Sequence, residues 1–219
     1  MATLPISLEA PAKALTGDSQ NSKEVEGPKV PSIREGAALV ARAQGGDSRA
    51  MDELIRKHTP GIYRFVLRMV RDEQDARDIT QEVFLRMIRS FKRYDPSYRF
   101  ETWLYRIARN LCYDRGRKAK RWKFAFWSRE EEESGLDPIQ SLPDPGASAL
   151  DQALDSEQGS QIEEAIGKLK PAYREILLLF HYEDRSYQEI ANILDIPMGT
   201  VMNRLYRSRQ ALKKILVTS

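Results

Sequence analysis

A chain of 219 residues can bury one hydrophobic core or two small ones, and a hydrophobic content of 41% is typical of folded proteins. No apolar run reaches the roughly 18–20 residues that span a bilayer, so we expect no membrane insertion. One cysteine, Cys112, and two distant histidines, His58 and His181, argue against a disulfide and against a transition-metal site. The amino terminus lacks the pattern of a secretion signal. These features predict a cytoplasmic protein without a metal or cofactor.

The net charge of +3 is distributed unevenly along the chain. Residues 36–128 hold 21 Lys and Arg against 11 Asp and Glu, whereas residues 129–158 hold one basic residue and nine acidic ones. A basic block followed by an acidic connector favours a polyanion as partner and is hard to explain as one enzyme domain. Charge alone leaves open the alternative of a merely solvated charged surface.

The first block begins with short helices. Ser32 is predicted to cap a first helix, and Asp47 is predicted to cap a second. Thr59-Pro60 predicts a third helix over residues 60–70, because Thr is a frequent N-cap and proline is common in the first turn of a helix.

Two longer helices follow, and they carry the clearest periodicity. Asp72 is the predicted cap of the first, and the turn signal at residues 94–97 precedes the second. Apolar residues recur at three- and four-residue steps in both. They are Ala76, Ile79, Val83, Phe84, Met87, Ile88 and Phe91 in the first, and Phe100, Trp103, Leu104, Ile107, Ala108 and Leu111 in the second.

The composition divides the chain into four parts. Residues 1–31 are rich in Pro, Ala, Ser and Lys and predict a disordered extension, and residues 32–127 predict a helical domain. Residues 128–158 are rich in Glu, Asp, Pro, Gly and Ser and predict a flexible acidic linker. Helical periodicity returns over residues 159–219, where Pro171 is predicted to open a helix. The predicted fold is all-α, with two helical domains.

Residues 186–212 read SYQEIANILDIPMGTVMNRLYRSRQAL, a pattern that predicts a helix-turn-helix. Ser186 and Glu189 have the spacing of a capping box, and Asp195-Ile196-Pro197 ends the first helix. The second helix is predicted to bury Val201, Leu205 and Leu212 and to display Asn203, Arg204, Arg207 and Arg209 on its other face. Arg and Asn are the side chains best suited to guanine and adenine edges in the major groove. An ordinary helical hairpin with a basic face is the alternative.

Both helical blocks resemble the extracytoplasmic-function sigma factors of bacterial RNA polymerase. DEQDARDITQEVFLRMIRSF (72–91) with FETWLYRIARNLCYDRGRK (100–118) looks like the first conserved domain of that family, and GTVMNRLYRSRQAL (199–212) looks like the second. Two independent motifs in the right order make the resemblance specific. It implies a protein that is not an enzyme: a subunit that binds core RNA polymerase, recognises −35 and −10 promoter elements and helps to open promoter DNA.

The resemblance also implies roles for residues of the first domain. Its first long helix would dock on the clamp helices of the largest polymerase subunit, through Asp75, Asp78, Gln81, Glu82 and Phe84. Its second long helix, with the preceding loop, would read the −10 element through Tyr98, Phe100, Trp103, Arg106, Asn110, Arg117 and Lys118. Phe100 and Trp103 share the apolar period, so a mainly structural role is the favoured alternative for both.

For the second domain the resemblance implies binding to the polymerase flap and contacts with the −35 element. The candidate residues are Thr200, Met202, Asn203, Arg204, Tyr206, Arg207 and Arg209. Asn203 and Arg207 are expected to read base edges, and Arg209 is expected to contact phosphate. Many members of the family carry a basic residue where this chain has Met202. An anti-sigma factor is a further expected partner.

Two other function classes fit parts of the sequence. A helix-turn-helix repressor or activator would need a sensor or dimerisation domain, and the first domain shows neither a sheet-based pocket nor a zipper repeat. A nuclease could be imagined with Asp72, Glu73, Asp75 and Asp78 as metal ligands. Helix capping explains Asp72 and Asp75, however, and no His, Lys or second acidic cluster completes such a site. We therefore favour the sigma factor.

Overall fold

The structure of the protein, a computed structural model, describes residues 33–119 and 159–218. Every regular element within these two ranges is helical, which confirms the all-α prediction. The predicted extension, the cap at Ser32 and the acidic linker lie outside the described residues. No helix in the described ranges is long and apolar enough to cross a membrane.

The first block is a bundle of four helices. They are α1 (Ile33–Gln44), α2 (Ser48–Val70), α3 (Glu73–Ser90) and α4 (Phe100–Lys118), with a 3₁₀ turn, Phe91–Arg93, after α3. Local hydrogen bonds explain why the helices begin where they do. Asp47 accepts from the backbone N–H groups of Arg49 and Ala50 at 3.0 and 3.2 Å, and Asp72 accepts from that of Asp75 at 2.8 Å. Both predicted caps are confirmed.

The predicted helix start at Thr59-Pro60 is wrong, since α2 runs through both residues. The Thr59 hydroxyl donates to the carbonyl of Ile55 at 2.7 Å and does not cap a new helix. Leu54 before the proline and Ile62 after it are both buried. The packing of both halves against the bundle outweighs the cost of a proline in a helix interior.

A second prediction is wrong at Ile88. Ile88 is 47% exposed, although the apolar period places it in the core. The preceding Met87 is fully buried, and one residue along a helix rotates a side chain by about 100°, which turns Ile88 off the packed face of α3.

Four aromatic rings join the loop after α3 to the start of α4. Phe91, Tyr94, Phe100 and Trp103 have neighbouring ring centroids 5.1–6.3 Å apart. Tyr94 also donates its hydroxyl to the carbonyl of Tyr98. The cluster fixes the loop against the start of α4, and it gives Phe100 and Trp103 a structural role.

The second block contains α5 (Gly159–Lys168), α6 (Pro171–Leu177), α7 (Tyr187–Leu194) and α8 (Met198–Thr218), with a π-helical turn, Leu178–Tyr182, continuing α6. Pro171 occupies the first turn of α6, as predicted. The capping box at Ser186 and Glu189 is also present. Asp195, with φ of 59°, ends α7 in the left-handed region. α7 and α8 therefore form the predicted helix-turn-helix.

The two blocks are in contact: α2 packs on α6 and on the π-helical turn, and α4 packs on α7. The buried Arg174 of α6 is one of the links between them. Its guanidinium donates to the carbonyl of Met69 in α2 at 2.7 Å, to that of Gly167 in the last turn of α5 at 2.5 Å and to that of Leu169 just after α5 at 3.1 Å. Burial lowers the pKa of Arg174 to about 10.

Candidate nucleic-acid interface

The exposed face of α4 carries the polar side chains that the sequence assigns to the −10 element. Asn110 is exposed and lies off the buried stripe of Leu104, Ala108 and Leu111. Tyr98, in the loop before α4, is 50% exposed.

At the other end of α4, Lys118 is exposed and Arg117 forms an ion pair with Asp114. Phe100 is buried and Trp103 is half-buried in the ring cluster.

Arg106 is exposed but contacts the second block. Its Nη2 lies 3.3 Å from Oδ2 of Asp195, the residue that ends α7. Arg99, in the loop before α4, bridges to Glu189 of α7 at 2.8 Å. Two basic side chains, one before α4 and one within it, therefore pair with carboxylates of the helix-turn-helix.

The polar face of α3 divides into exposed and buried members. Asp78 and Gln81 are exposed. Glu82 is half-buried, and its ion pair with Arg86 at 2.8 Å lowers the pKa of its carboxyl. Asp75 is buried instead, where Arg115 of α4 donates to it from Nε at 2.9 Å, and Phe84 is only 7% exposed.

The surface of α3 also exposes two apolar side chains that the sequence reasoning missed. Leu85 is 39% exposed and Ile88 is 47% exposed. The sequence does contain a signal for this exposure. Leu85 and Ile88 each follow a buried residue, Phe84 or Met87, and one step along a helix turns a side chain away from the packed face. Together with Asp78 and Gln81 they give α3 a mixed apolar and polar outer surface.

The helix α8 differs from the prediction of one face displaying four polar residues. Arg209 is only 9% exposed, and its guanidinium lies 5.3 Å from the ring centroid of Phe180. Arg204 is also largely covered and lies 3.8 Å from the buried Glu175. The reason is that α8 packs on α6, which covers this part of its polar face.

The remaining candidates on α8 are more accessible. Met202 and Tyr206 are about two-fifths exposed. Thr200, Asn203 and Arg207 are of intermediate exposure. The carbonyl oxygen of the Asn203 side chain is buried without a hydrogen-bond partner among the described residues.

A fully buried carboxylate, Glu175 of α6, joins α4 to α8. Arg109 of α4 donates to it from Nε at 2.9 Å, and Arg204 of α8 approaches it from the other side. Burial, together with the carboxylate of Glu175, raises the pKa of the Cys112 thiol. An ionised buried carboxylate is stable only when it is paired. Glu175 therefore ties together the two helices that the sequence assigns to DNA.

A second buried contact lies between α4 and the segment after the π-helical turn. The Tyr105 hydroxyl donates to Glu183, and burial raises the pKa of the Glu183 carboxyl. Arg185 stacks over the ring of Tyr105 with 5.0 Å between its guanidinium carbon and the ring centroid. The candidate −10 and −35 surfaces are thus held side by side in the described arrangement.

Comparison with known proteins assigns both blocks. Residues 54–122 match the family model of sigma-70 region 2, and residues 160–212 match that of sigma-70 region 4. The ECF RNA polymerase sigma factor SigW of Bacillus subtilis is 33% identical over 81% of this chain and 94% of its own length. The chain belongs to the extracytoplasmic-function sigma factors. It directs promoter recognition by RNA polymerase through regions 2 and 4, and sigma factors are non-catalytic subunits.

Other relatives of this sigma factor agree with that assignment. The RNA polymerase sigma-H factor of Pseudomonas aeruginosa is 32% identical over 81% of the chain and 92% of its own length. Among solved structures, CnrH in complex with the cytosolic domain of CnrY covers 84% of this chain and 98% of its own, with 22% identity and a TM-score of 0.60. The sigma factor RpoE with the anti-sigma factor NepR from Bartonella quintana covers 75% and 95%, with 22% identity and a TM-score of 0.55. Both structures share the fold.

Proposed function

We propose that α4 and its preceding loop read the −10 element and that α8 reads the −35 element. The observation that carries this proposal is the exposure of Asn110 on α4 and of Met202 and Tyr206 on α8, away from the packed faces of both helices. Side chains that read bases must leave the hydrophobic core and reach a groove or an unpaired strand. The basic end of α4 supplies phosphate contacts, which position the protein without reading sequence.

The outer surface of α3 is proposed to bind the clamp helices of the largest polymerase subunit. Region 4 is proposed to bind the polymerase flap. Exposed Leu85 and Ile88 beside Asp78 and Gln81 support a helix-on-helix contact on α3. Asp75 and Phe84 would support that surface from within, because both are buried.

Run-off transcription tests this function. Core polymerase is incubated with promoter-containing DNA with and without the protein, and start sites are mapped. We expect initiation at a defined site only when the protein is present. Sequence-specific binding of DNA by the protein alone, without any new start site, would instead support the helix-turn-helix repressor or activator.

The described arrangement is proposed to precede promoter binding. The centres of a −10 and a −35 element are about 25 base pairs apart, or about 85 Å along B-DNA. In the described arrangement Arg106 of α4 and Asp195 beside α8 are 3.3 Å apart. The two blocks must therefore separate before both elements can be read. The connecting residues 120–158 can span up to about 130 Å when extended, which is sufficient.

We propose that the protein acts in the cytoplasm and that an anti-sigma factor regulates it. The neighbour RpoE was solved with the anti-sigma factor NepR, which supports the proposal by analogy. Purification of the tagged protein from its native cell tests it. We expect a second protein to co-purify and to be displaced when core polymerase is added. Recovery of the tagged protein with polymerase alone would contradict the proposed regulator.

A further inference from the structure

The helix α8 exposes three large apolar side chains on one stripe. Met198, Met202 and Tyr206 follow each other at four-residue spacing and are 47%, 40% and 41% exposed. Single exposed apolar residues are ordinary on protein surfaces. Three on one stripe of the second helix of a helix-turn-helix form a continuous apolar strip where base edges are normally read.

The charge of α8 indicates what this strip meets. The sequence of the helix, MGTVMNRLYRSRQALKKILVT, holds five basic residues and no acidic ones, which favours a polyanion as its partner. At Gly199, in the first turn, a Cβ atom would meet no described atom within 4 Å beyond its chain neighbours and the backbone of its own turn. The start of the helix is therefore open to close approach by DNA.

The major groove of DNA offers a specific apolar group, the C5-methyl of thymine. Residues four apart on a helix are separated by about 6 Å along its axis, and base pairs are stacked about 3.4 Å apart. Successive members of the strip therefore lie about two base pairs apart when the helix lies along the groove.

We propose that Met202 and Tyr206 contact the methyl groups of two thymines about two base pairs apart in the −35 element. The two side chains would then make region 4 selective for thymine at these positions. A methionine has no hydrogen-bond donor, so it cannot donate hydrogen bonds to the guanine edge as an arginine does. This inference rests on the proposed reading of the −35 element by α8.

The test replaces thymine by deoxyuridine, which lacks only the methyl group. Sites are first selected from random DNA with polymerase holoenzyme that contains this protein. Each thymine of the best −35 site is then replaced singly, and the dissociation constant is measured at fixed salt. Losing one buried methyl contact costs about 0.8 kcal/mol, which raises the dissociation constant about fourfold. We expect this loss at two thymines about two base pairs apart.

Variants connect each thymine to its side chain. Met202→Ala should weaken binding to the thymine site and abolish the deoxyuridine effect at one position, and Tyr206→Ala should do so at the other. Met202→Arg should shift the selected base from thymine towards guanine. The matched control is Val217→Ala, an apolar residue of α8 that is 79% exposed near its carboxyl end, and it should leave all these values unchanged.

The outcomes separate this inference from the proposed function. If a −35 sequence is selected but no deoxyuridine substitution weakens binding, the thymine contacts are refuted while the reading of −35 DNA stands. Equal losses for thymine and deoxyuridine sites in Met202→Ala and Tyr206→Ala would also refute it, because the strip would then contact something else. Failure to select any −35 sequence would refute the proposed function itself.

Discussion

Arg109 and Asn110 are neighbours on α4 with opposite environments. Arg109 is held by the buried Glu175, whereas Asn110 faces solvent. An amide side chain offers two donors and one acceptor, which suits the edge of an unpaired base. Extruding a base costs a few kcal/mol of stacking, and such contacts offset part of that cost.

We expect Asn110→Ala to leave binding to core polymerase and helix content unchanged and to impair formation of the open complex. Permanganate footprinting of thymines in the transcription bubble measures this. A pre-melted promoter should not fully rescue the variant, because the lost contact is to the unpaired base itself. Glu53→Ala, at an exposed position of α2, is the control. Normal opening by Asn110→Ala would remove this residue from the reading site, and weaker polymerase binding would give it a structural role.

Arg174 presents the reverse case, a charged residue in the interior. Its guanidinium satisfies carbonyl groups of Met69, Gly167 and Leu169 that have few other partners at the ends of helices. We expect Arg174→Met to lower the free energy of unfolding by about 2–5 kcal/mol, because buried carbonyls lose their donor. Urea denaturation measures this. Arg77→Met, which breaks a surface pair with Glu73, is the control and should change stability by under about 0.5 kcal/mol. Equal midpoints for the two variants would contradict this role.

At the scale of the element, the proline in α2 gives a prediction of its own. Pro60 is exposed in the middle of the helix and cannot donate a backbone hydrogen bond. Pro60→Ala should raise the free energy of unfolding by about 1–3 kcal/mol, since alanine restores the donor without disturbing any packed side chain. Chemical denaturation checks the gain, with Lys57→Ala on the same helix as control. A loss of stability would show that the packing of α2 requires the proline.

The starts of the helices show which features of the fold the sequence could predict. The caps at Asp47, Asp72 and Ser186 depend on residues within one turn, so local spacing was sufficient to find them. Thr59-Pro60 obeys the same local rule for a helix start, but the burial of Leu54 and Ile62 on one side of α2 decides otherwise. Tertiary packing overrides a local signal where both flanks contribute to the core.

The candidate site was predictable to a similar extent. Periodicity found the helices and the helix-turn-helix, and the family resemblance selected Asn110, which the structure shows to be exposed. Periodicity could not show that Asp75 pairs with Arg115, or that Glu175 reaches Arg109, because these partners are 40 and 66 residues apart in the chain. A periodic pattern identifies the face of a helix but does not reveal which distant element covers its polar side.

At the scale of the whole molecule, several ion pairs hold regions 2 and 4 together. Arg68 of α2 donates to Glu163 of α5 at 3.0 Å, Arg99 reaches Glu189, and Arg109 reaches Glu175. Exposed pairs contribute at most about 1 kcal/mol each, and the pair between Arg109 and Glu175 adds to them while the blocks are closed, although Arg204 of α8 stays beside Glu175 in either arrangement. The closed arrangement, in which α4 contacts α7, should therefore be opened only by a partner that binds the separated form better.

A reversible cross-link between the blocks tests the need for opening. Arg68 and Glu163 lie outside the proposed DNA contacts, so Arg68→Cys with Glu163→Cys places two thiols across the closed arrangement without altering the reading helices. The native Cys112 is buried and its thiol pKa is raised, so it should react slowly with a reducible bis-maleimide. We expect the linked protein to lose promoter-directed initiation and to regain it after reduction. The unlinked double variant and the singly substituted proteins control for the substitutions and for the reagent. Full initiation by the linked protein would show that α4 and α8 read DNA without the separation that the distance between the two promoter elements demands.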